Sequence, residues 1–228
     1  MNILSDRILN LEESQTIAMA RQSRELIDNG IDIISLSLGE PDFNTPDFIK
    51  DAAKMAIDEN FSHYTPVPGL NSLRKAISEK FKRDNNLDYQ EDQIVASTGA
   101  KQSLAQLLMA IVNPGDEVIV PAPYWVSYFQ MVKMAEGTPI VIEAMVDADF
   151  KISAKQVEDA ITSKTKAFLF STPCNPTGSV YSRNELNELV HVFEKHPKLI
   201  IISDEIYEHI NFMGEHVSIG QFNSIKDQ

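Results

Sequence analysis

The sequence has little cysteine and no long apolar stretch. Cys174 is its only cysteine, which excludes an internal disulfide bond and a cysteine zinc cluster and favours a reducing compartment. No stretch approaches the roughly 18 apolar residues that a membrane span needs. Residues 1–20 are charged and amphipathic, unlike the basic stub and apolar run of a signal peptide. These features predict a cytoplasmic protein with no membrane partner and no metal.

Positive charge is also scarce. The chain of 228 residues has 33 acidic and 20 basic residues, a formal net charge of -13, and no long run of lysine or arginine. Nucleic acids and anionic membranes both require a basic surface, so we expect neither as a partner. Apolar residues make up 43% of the chain, an ordinary fraction for a globular protein, and a packed core is expected.

What the sequence does contain, from Thr45 onward, is an alternation of helix and strand patterns. Thr45 before Pro46 predicts an N-cap with proline in the first helical turn, opening a helix that runs to residue 60. A second helix is predicted over 70–85, where apolar residues recur at helical spacing: Leu70, Leu73, Ile77 and Phe81. Ser153 with Gln156, and Ser182 with Glu185, are capping boxes that open two later helices.

The remaining segments complete a regular order. Strands are predicted over 94–98, 117–123, 139–144, 167–171 and 199–205, and further helices over 102–112 and 124–135. The run 199–205 is almost continuously apolar, which is typical of a strand buried on both faces. The pattern predicts an α/β fold, a mostly parallel sheet sandwiched by helices, with ligands at the carboxyl ends of the strands.

Two of the elements that follow strands could bind parts of a ligand, one an anion such as phosphate and the other a planar ring. Gly99, Ala100 and Lys101 form a glycine turn into a helix, whose free N–H groups and dipole attract phosphate, although such a glycine is commonly only a turn. Trp125 is the only tryptophan, and it could stack on a planar ring or simply fill the core.

Two further elements offer an amide and a carboxylate. Asn175 lies in a Pro-Thr-Gly turn, where it either faces a ligand or bonds its own backbone. Asp204 and Glu205 end the most apolar strand, and an unpaired buried carboxylate is costly. A protonated pyridine nitrogen would be a suitable partner, because the carboxylate would keep the ring protonated and strengthen it as an electron sink.

Six motifs, in this order, resemble those of class I aminotransferases of the pyridoxal phosphate (PLP) fold type I, and most of all aspartate aminotransferases. They are SLGEPDF at 37–43, YTP with Gly69 at 64–69, the turn at Gly99, PYWVSY at 123–128, NPTG at 175–178 and SDEIYEH at 203–209. The resemblance implies an N-terminal arm and small-domain segment at 1–44 and an incomplete PLP-binding large domain at 45–228. It also implies a homodimer, and cis peptide bonds at Ala122-Pro123 and Asn175-Pro176.

The resemblance implies a role for each cofactor-side residue. Asp204 would pair with the pyridine nitrogen of PLP, Asn175 and Tyr207 would hydrogen-bond its phenolic oxygen, and Trp125 would stack on its ring. The phosphate would be held by the chain at three consecutive residues, Gly99, Ala100 and Lys101. Tyr64 would reach the phosphate in the other subunit's site.

Amino acids and 2-oxo acids are the substrates that the resemblance implies. Gly39 would lie against the α-carboxylate, and Trp125 and Asn175 would also bind the substrate. Lys101 and Thr16 match positions near the distal carboxylate in acid-selective members of the family, which favours aspartate and glutamate. Lys101 could instead be a solvated lysine at a helix start.

The family's Schiff-base lysine lies beyond Gln228, so no catalytic residue is assigned and the 228-residue chain is expected to be inactive, with an open sheet edge that favours association. The predicted function of the parent is aspartate aminotransferase, which converts L-aspartate and 2-oxoglutarate to oxaloacetate and L-glutamate. The alternatives are an aminotransferase for aromatic or prephenate-like acids, a PLP-dependent β-lyase, and a non-catalytic PLP-binding dimerisation module.

Overall fold

The structure is a computed structural model that describes residues 3–13, 15–34, 36, 39 and 41–228, with only the backbone of Gln15 and Thr16. Its helices are α1 (Asp6–Leu9), α2 (Gln15–Asp28), α3 (Asp47–Asp58), α4 (Asn71–Asn85), α5 (Ala100–Ile111), α6 (Ser127–Met134), α7 (Ala154–Ala160) and α8 (Arg183–Phe193). Its strands are β1 (Glu117–Ala122), β2 (Thr138–Glu143), β3 (Thr165–Ser171) and β4 (Ile200–Asp204). Four short 3-10 turns complete the described elements.

The four strands form one parallel sheet in the order β2-β1-β3-β4. Ile119 of β1 is in register with Ile140 of β2 and Phe168 of β3, and Phe168 is in register with Ile201 of β4. Parallel neighbours require a crossover segment, and the helical patterns between the strands supply it. The predicted α/β fold with a parallel sheet is confirmed.

Successive strand residues point to opposite faces of the sheet, and each face has its own core. On one face Val118, Val120 and Leu169 pack with α5 and α6. On the other face Ile119 and Phe168 pack with α7 and α8. The sheet is therefore covered by helices on both sides, as predicted.

The two predicted capping boxes open α7 and α8. Ser153 accepts a hydrogen bond from the backbone N–H of Gln156, and Ser182 accepts one from Glu185, while each N3 side chain bonds back to the backbone of its cap. These reciprocal bonds satisfy donors that a helix start leaves free. Both helices are thereby fixed against the sheet at the residues that the sequence indicates.

Two local predictions are wrong. Residues 94–98 are not a strand: Ile94 is extended, but the only ladder-like bond of this segment runs from the Ala96 N–H to the Pro68 carbonyl. A strand needs a pairing partner, and the described residues offer none beside it. The cap of α3 is Pro46, not Thr45, since the ψ of 142° at Pro46 keeps the proline outside the helix.

Two other elements differ in detail from their prediction. Helix α6 begins at Ser127 instead of residue 124, because residues 124–126 turn away from β1 first. Strand β4 is an edge strand in the described sheet, so Ile201 and Ser203 are only half-buried rather than buried on both faces. Both expected cis bonds, Ala122-Pro123 and Asn175-Pro176, are present, together with Thr172-Pro173.

The first third of the chain packs little. Helix α3 has no buried residue, and Phe48 and Ile57 are 75% and 77% exposed. Among the described residues no helix is both long and apolar enough to cross a membrane. No group of three or more potential metal-ligating side chains occurs within them either.

Candidate active site

A pocket of about 560 Å³ opens where β1, β3 and β4 end. It is lined by eight of the residues that the sequence singled out, which come from distant parts of the chain: Gly39, Gly99, Ala100, Lys101, Trp125, Asn175, Asp204 and Tyr207. Parallel strands bring the turns at their carboxyl ends to one edge of a sheet, which explains how these side chains meet. The residues that the sequence indicates therefore line one pocket at this edge of the sheet.

Asp204 is the last residue of β4, and it lines the pocket. The residue is only 8% exposed. One carboxylate oxygen, Oδ1, accepts a bond from the Ile206 N–H at 3.2 Å, and the other, Oδ2, accepts one from the Tyr128 hydroxyl at 2.7 Å. Neither donor carries a charge, and no described basic side chain forms a salt bridge with this carboxylate. A cationic ligand group would offset the cost of burying it.

Tyr128 belongs to this site and was not singled out from the sequence. It is 1% exposed, on the face of α6 that packs against the sheet. Burial first, and then the neighbouring Asp204 carboxylate, raise the pKa of Tyr128 well above its usual range. The available signal was its spacing, because Tyr128 lies three residues after Trp125 and the predicted helix over 124–135 would put both on one side.

Trp125 forms one wall of the pocket. Its ring meets Tyr128 edge to face, with centroids 5.5 Å apart and planes at 88°. Lys101 Nζ lies 4.9 Å from the centre of the indole. Lys101 is exposed, as the solvated alternative expects, but its charge is held at the mouth of the pocket by a cation–π contact.

Asn175 and Tyr207 come together in the same pocket. The Asn175 amide donates to the Tyr207 hydroxyl at 3.4 Å. The Asn175 turn is closed by a 2.7 Å bond from the Gly178 N–H to the Cys174 carbonyl. The two polar groups that were expected to bind one oxygen of the cofactor are therefore adjacent and half-buried.

The start of α5 presents free donors to the same pocket. Gly99 has a φ of +79°, and a side chain at this position would meet open space. Its own N–H donates to the Ser97 carbonyl at 2.9 Å. The N–H groups of Ala100 and Lys101 have no acceptor among the described residues, and they lie at the positive end of the helix dipole.

These features fit the parts of pyridoxal phosphate. A buried carboxylate suits its pyridine nitrogen, two adjacent polar groups suit its phenolic oxygen, an indole suits its planar ring, and a helix start suits its phosphate. The free N–H groups at the α5 start and the two uncharged hydrogen-bond donors of Asp204 are the observations that carry this fit.

One predicted residue, Tyr64, is described by the structure and does not line the pocket. Tyr64 is fully exposed and is not in the pocket wall. The side chain of Thr16 lies outside the described residues, as do Ser37, Leu38 and Glu40 of the first motif. Among the described residues of that motif, Gly39 lines the pocket.

Comparisons with known proteins agree with this fold and pocket. The chain is 50% identical over 212 residues to the aspartate/prephenate aminotransferase of Cereibacter sphaeroides, covering 93% of this chain and 53% of that protein. It is 46% identical over 222 residues to an aspartate aminotransferase of a Bacillus species, covering 97% of this chain and 56% of the relative. It thus spans about half the length of the curated relatives it matches.

A solved structure of an aminotransferase has the same fold over most of this chain. Aspartate aminotransferase from Thermus thermophilus with maleate superposes with a TM-score of 0.94 at 41% identity, over 97% of this chain and 58% of that one. Fold and pocket together define an α/β protein with a site for a planar phosphorylated cofactor. The model of the aminotransferase class I and II family matches residues 31–223, and the chain belongs to this family, which is PLP-dependent.

Proposed function

We propose that this chain is the cofactor-binding part of an aminotransferase that acts on L-aspartate and 2-oxoglutarate. The observation that carries the proposal is the convergence of Asp204, Asn175, Tyr207, Trp125 and the α5 start on one pocket. Segments so far apart in sequence would have no packing reason to gather polar groups around a water-accessible space.

Bound PLP supplies an electron sink that stabilises negative charge on the α-carbon of an amino acid. The chain's part is to bind and orient. Asp204 holds a proton on the pyridine nitrogen, while Asn175 and Tyr207 hydrogen-bond the phenolic oxygen. The N–H groups of Ala100 and Lys101 hold the phosphate at the helix start. Lys101 is the only lysine among the described residues that line this pocket, and its ammonium lies over the Trp125 ring, so we expect this chain to bind PLP without a covalent bond.

The first test is a PLP titration followed by tryptophan fluorescence. Because Trp125 is the only tryptophan and lines the pocket, quenching reports on this site alone. We expect saturable quenching, and borohydride followed by intact-mass analysis should find no adduct. Asp204→Asn should weaken the affinity about 30-fold, since losing one partner of a buried charge pair costs about 2 kcal/mol or more.

Asp159→Asn is the matched control, because it makes the same change on the exposed surface of α7. It should leave the affinity for PLP unchanged. Absence of saturable quenching in the unsubstituted chain would overturn the proposed cofactor site. Equal affinities for the unsubstituted chain and Asp204→Asn would show that Asp204 does not bind the pyridine nitrogen.

The preference for a substrate with two carboxylates rests on Lys101. Its ammonium is held over the Trp125 ring at the pocket mouth, where it would face a distal carboxylate. The Thermus relative is described with maleate, a dicarboxylate. With PLP present, maleate should change the Trp125 signal, and Lys101→Met should weaken its binding about tenfold. A monocarboxylate such as butyrate is the control, and the Lys101 change should not affect it.

A second candidate substrate is prephenate. It is favoured by the name of the Cereibacter relative, an aspartate/prephenate aminotransferase. Prephenate also carries two carboxylates, so Lys101 would serve both substrates. Competition of prephenate with maleate at the PLP-loaded pocket would support the broader specificity. Binding of maleate alone would restrict the proposal to the small dicarboxylic acids.

A further inference from the structure

Tyr128 makes the shortest side-chain contact to Asp204. Its hydroxyl donates to Oδ2 at 2.7 Å, while the Ile206 N–H reaches Oδ1 at 3.2 Å. One donor therefore comes from α6 and the other from the turn after β4. Two donors on different oxygens fix both the position of a carboxylate and the plane in which it lies.

The direction of this hydrogen bond does not change with pH in the working range. Burial and the adjacent carboxylate raise the pKa of Tyr128, so its phenol stays protonated and keeps the proton that it donates to the Asp204 carboxylate. Tyr128 is also tied to the wall residue Trp125, through edge-to-face ring packing and a 2.9 Å bond from its N–H to the Trp125 carbonyl. One residue thus connects the wall of the pocket to its carboxylate.

We propose that Tyr128 is a positioning residue that holds the Asp204 carboxylate in the plane required by the cofactor's pyridine nitrogen. The inference rests on the proposed function and extends it by one residue. A phenylalanine at position 128 would keep the ring packing but would leave Oδ2 buried without its donor. A buried carboxylate that loses a donor takes up a proton more readily and rotates more freely.

Other titratable groups surround Asp204, and they bear on any measurement against pH. Lys101 from α5 and Tyr124 before α6 share its pocket, and Tyr207 and Glu205 belong to its own turn. None of them is removed by a change at position 128. Their titration, and that of the cofactor's phosphate, is therefore common to the variants that are compared.

The experiment measures the affinity for PLP against pH by Trp125 fluorescence in the unsubstituted chain, Tyr128→Phe and Tyr181→Phe. Tyr181 is the matched control, a tyrosine that is 6% exposed and does not line this pocket. Its hydroxyl accepts a hydrogen bond from the Ile152 N–H at 2.9 Å. For Tyr128→Phe we expect about five- to tenfold weaker binding at neutral pH. The acid limb of its affinity profile, the pH range in which the affinity for PLP falls as the pH is lowered, should move to higher pH. Tyr181→Phe should leave both unchanged.

A double-substitution cycle separates positioning from a general effect on folding. If Tyr128 acts through Asp204, then Tyr128→Phe should have no further effect in an Asp204→Ala background. An unchanged affinity and acid limb in Tyr128→Phe would overturn this inference alone. Failure of the unsubstituted chain to bind PLP would overturn the proposed function and this inference together.

If Tyr128→Phe does not fold, 3-fluorotyrosine incorporated at position 128 alone replaces it. Fluorination makes the phenol a stronger donor and leaves the chain otherwise intact. The acid limb should then move to lower pH, because a stronger donor favours the ionised carboxylate. An unmoved limb in the fluorinated protein would count against Tyr128 as the positioning residue.

Discussion

At the scale of single residues, Gly69 lies in a turn that does not line the pocket but packs on the segment around Ala96, which leads to the pocket. Gly69 has a φ of +101°, and a Cβ there would lie 2.8 Å from the Cβ of Ala96. The Ala96 N–H bonds the Pro68 carbonyl at 2.9 Å. The turn is therefore packed on the stretch that leads into Gly99 and the start of α5.

We predict that Gly69→Ala destabilises the protein by about 2 kcal/mol or more, because it adds a steric clash to the cost of a positive φ. Gly214→Ala is the matched control, since Gly214 has a φ of +119° but nothing within 4 Å of the added carbon. Urea unfolding of both variants measures the difference. Equal losses of stability would mean that the contact with Ala96 contributes nothing.

The residues of the pocket were largely predictable, and the bond network around them was not. Asp204 could be found because a carboxylate that ends an apolar strand needs a partner. Trp125 and Asn175 could be found because they follow strands within recognisable motifs. The Tyr128–Asp204 bond joins residues far apart in sequence, and only the packing of α6 on the sheet brings them to 2.7 Å.

At the scale of elements, a polar cluster joins α4 to the turn after β4. Glu208 accepts hydrogen bonds from Lys80 and from the buried Asn85. The side chains of Lys80 and Glu208 are 25% and 18% exposed. Burial acts to raise the pKa of Glu208, but the bonds from Lys80 and Asn85 outweigh it and lower that pKa below its ordinary value of 4.5.

A lowered carboxyl pKa contributes stability that is present above pH 4.5 and is lost as the pH falls through the folded-state value. We predict that Glu208→Gln flattens this acid loss, so that its free energy of unfolding changes less below pH 4.5 than that of the unsubstituted chain. Urea unfolding at a series of pH values is the measurement. Glu188→Gln, at an exposed site on α8, should keep the full acid loss.

The prediction of strands succeeded where a buried apolar run defines the strand, and it failed where a strand depends on a neighbour to pair with. Strands β1 and β3 are apolar runs that the core requires, and their bounds differ little from those predicted. Residues 94–98 have the composition of a strand, but a strand also needs a ladder partner, which the described residues do not provide. The composition of a segment does not show whether another strand lies beside it.

At the scale of the whole molecule, the first third of the chain exposes large apolar side chains. Phe48, Ile57, Phe61 and Val67 are all more than half exposed, and Tyr64 is fully exposed. Several exposed large apolar side chains in one part of the chain are typical of an interaction site. It agrees with the predicted homodimer in which Tyr64 reaches the other subunit, and that assembly stays a prediction, as do the domain boundary after residue 44 and a cytoplasmic location.

We predict that the chain sediments as a dimer or a larger assembly, and that Phe48→Glu shifts it toward the monomer. The charge would have to be buried without a partner in the assembled form. Val146→Glu is the control, because Val146 is 71% exposed but lies in the later, well-packed part of the chain. A stable, monodisperse monomer in sedimentation velocity would contradict the prediction.

The two-sided sheet determines which substitutions depend on one another. Ile119 and Val120 are adjacent in sequence but belong to different cores, whereas Ile119 shares its core with the distant Phe193. Side chains that touch the same neighbours show non-additive energies, and separated ones add independently. Epistasis in this protein should therefore follow the face of the sheet rather than distance along the chain, which leaves each face free to diverge while the other is conserved.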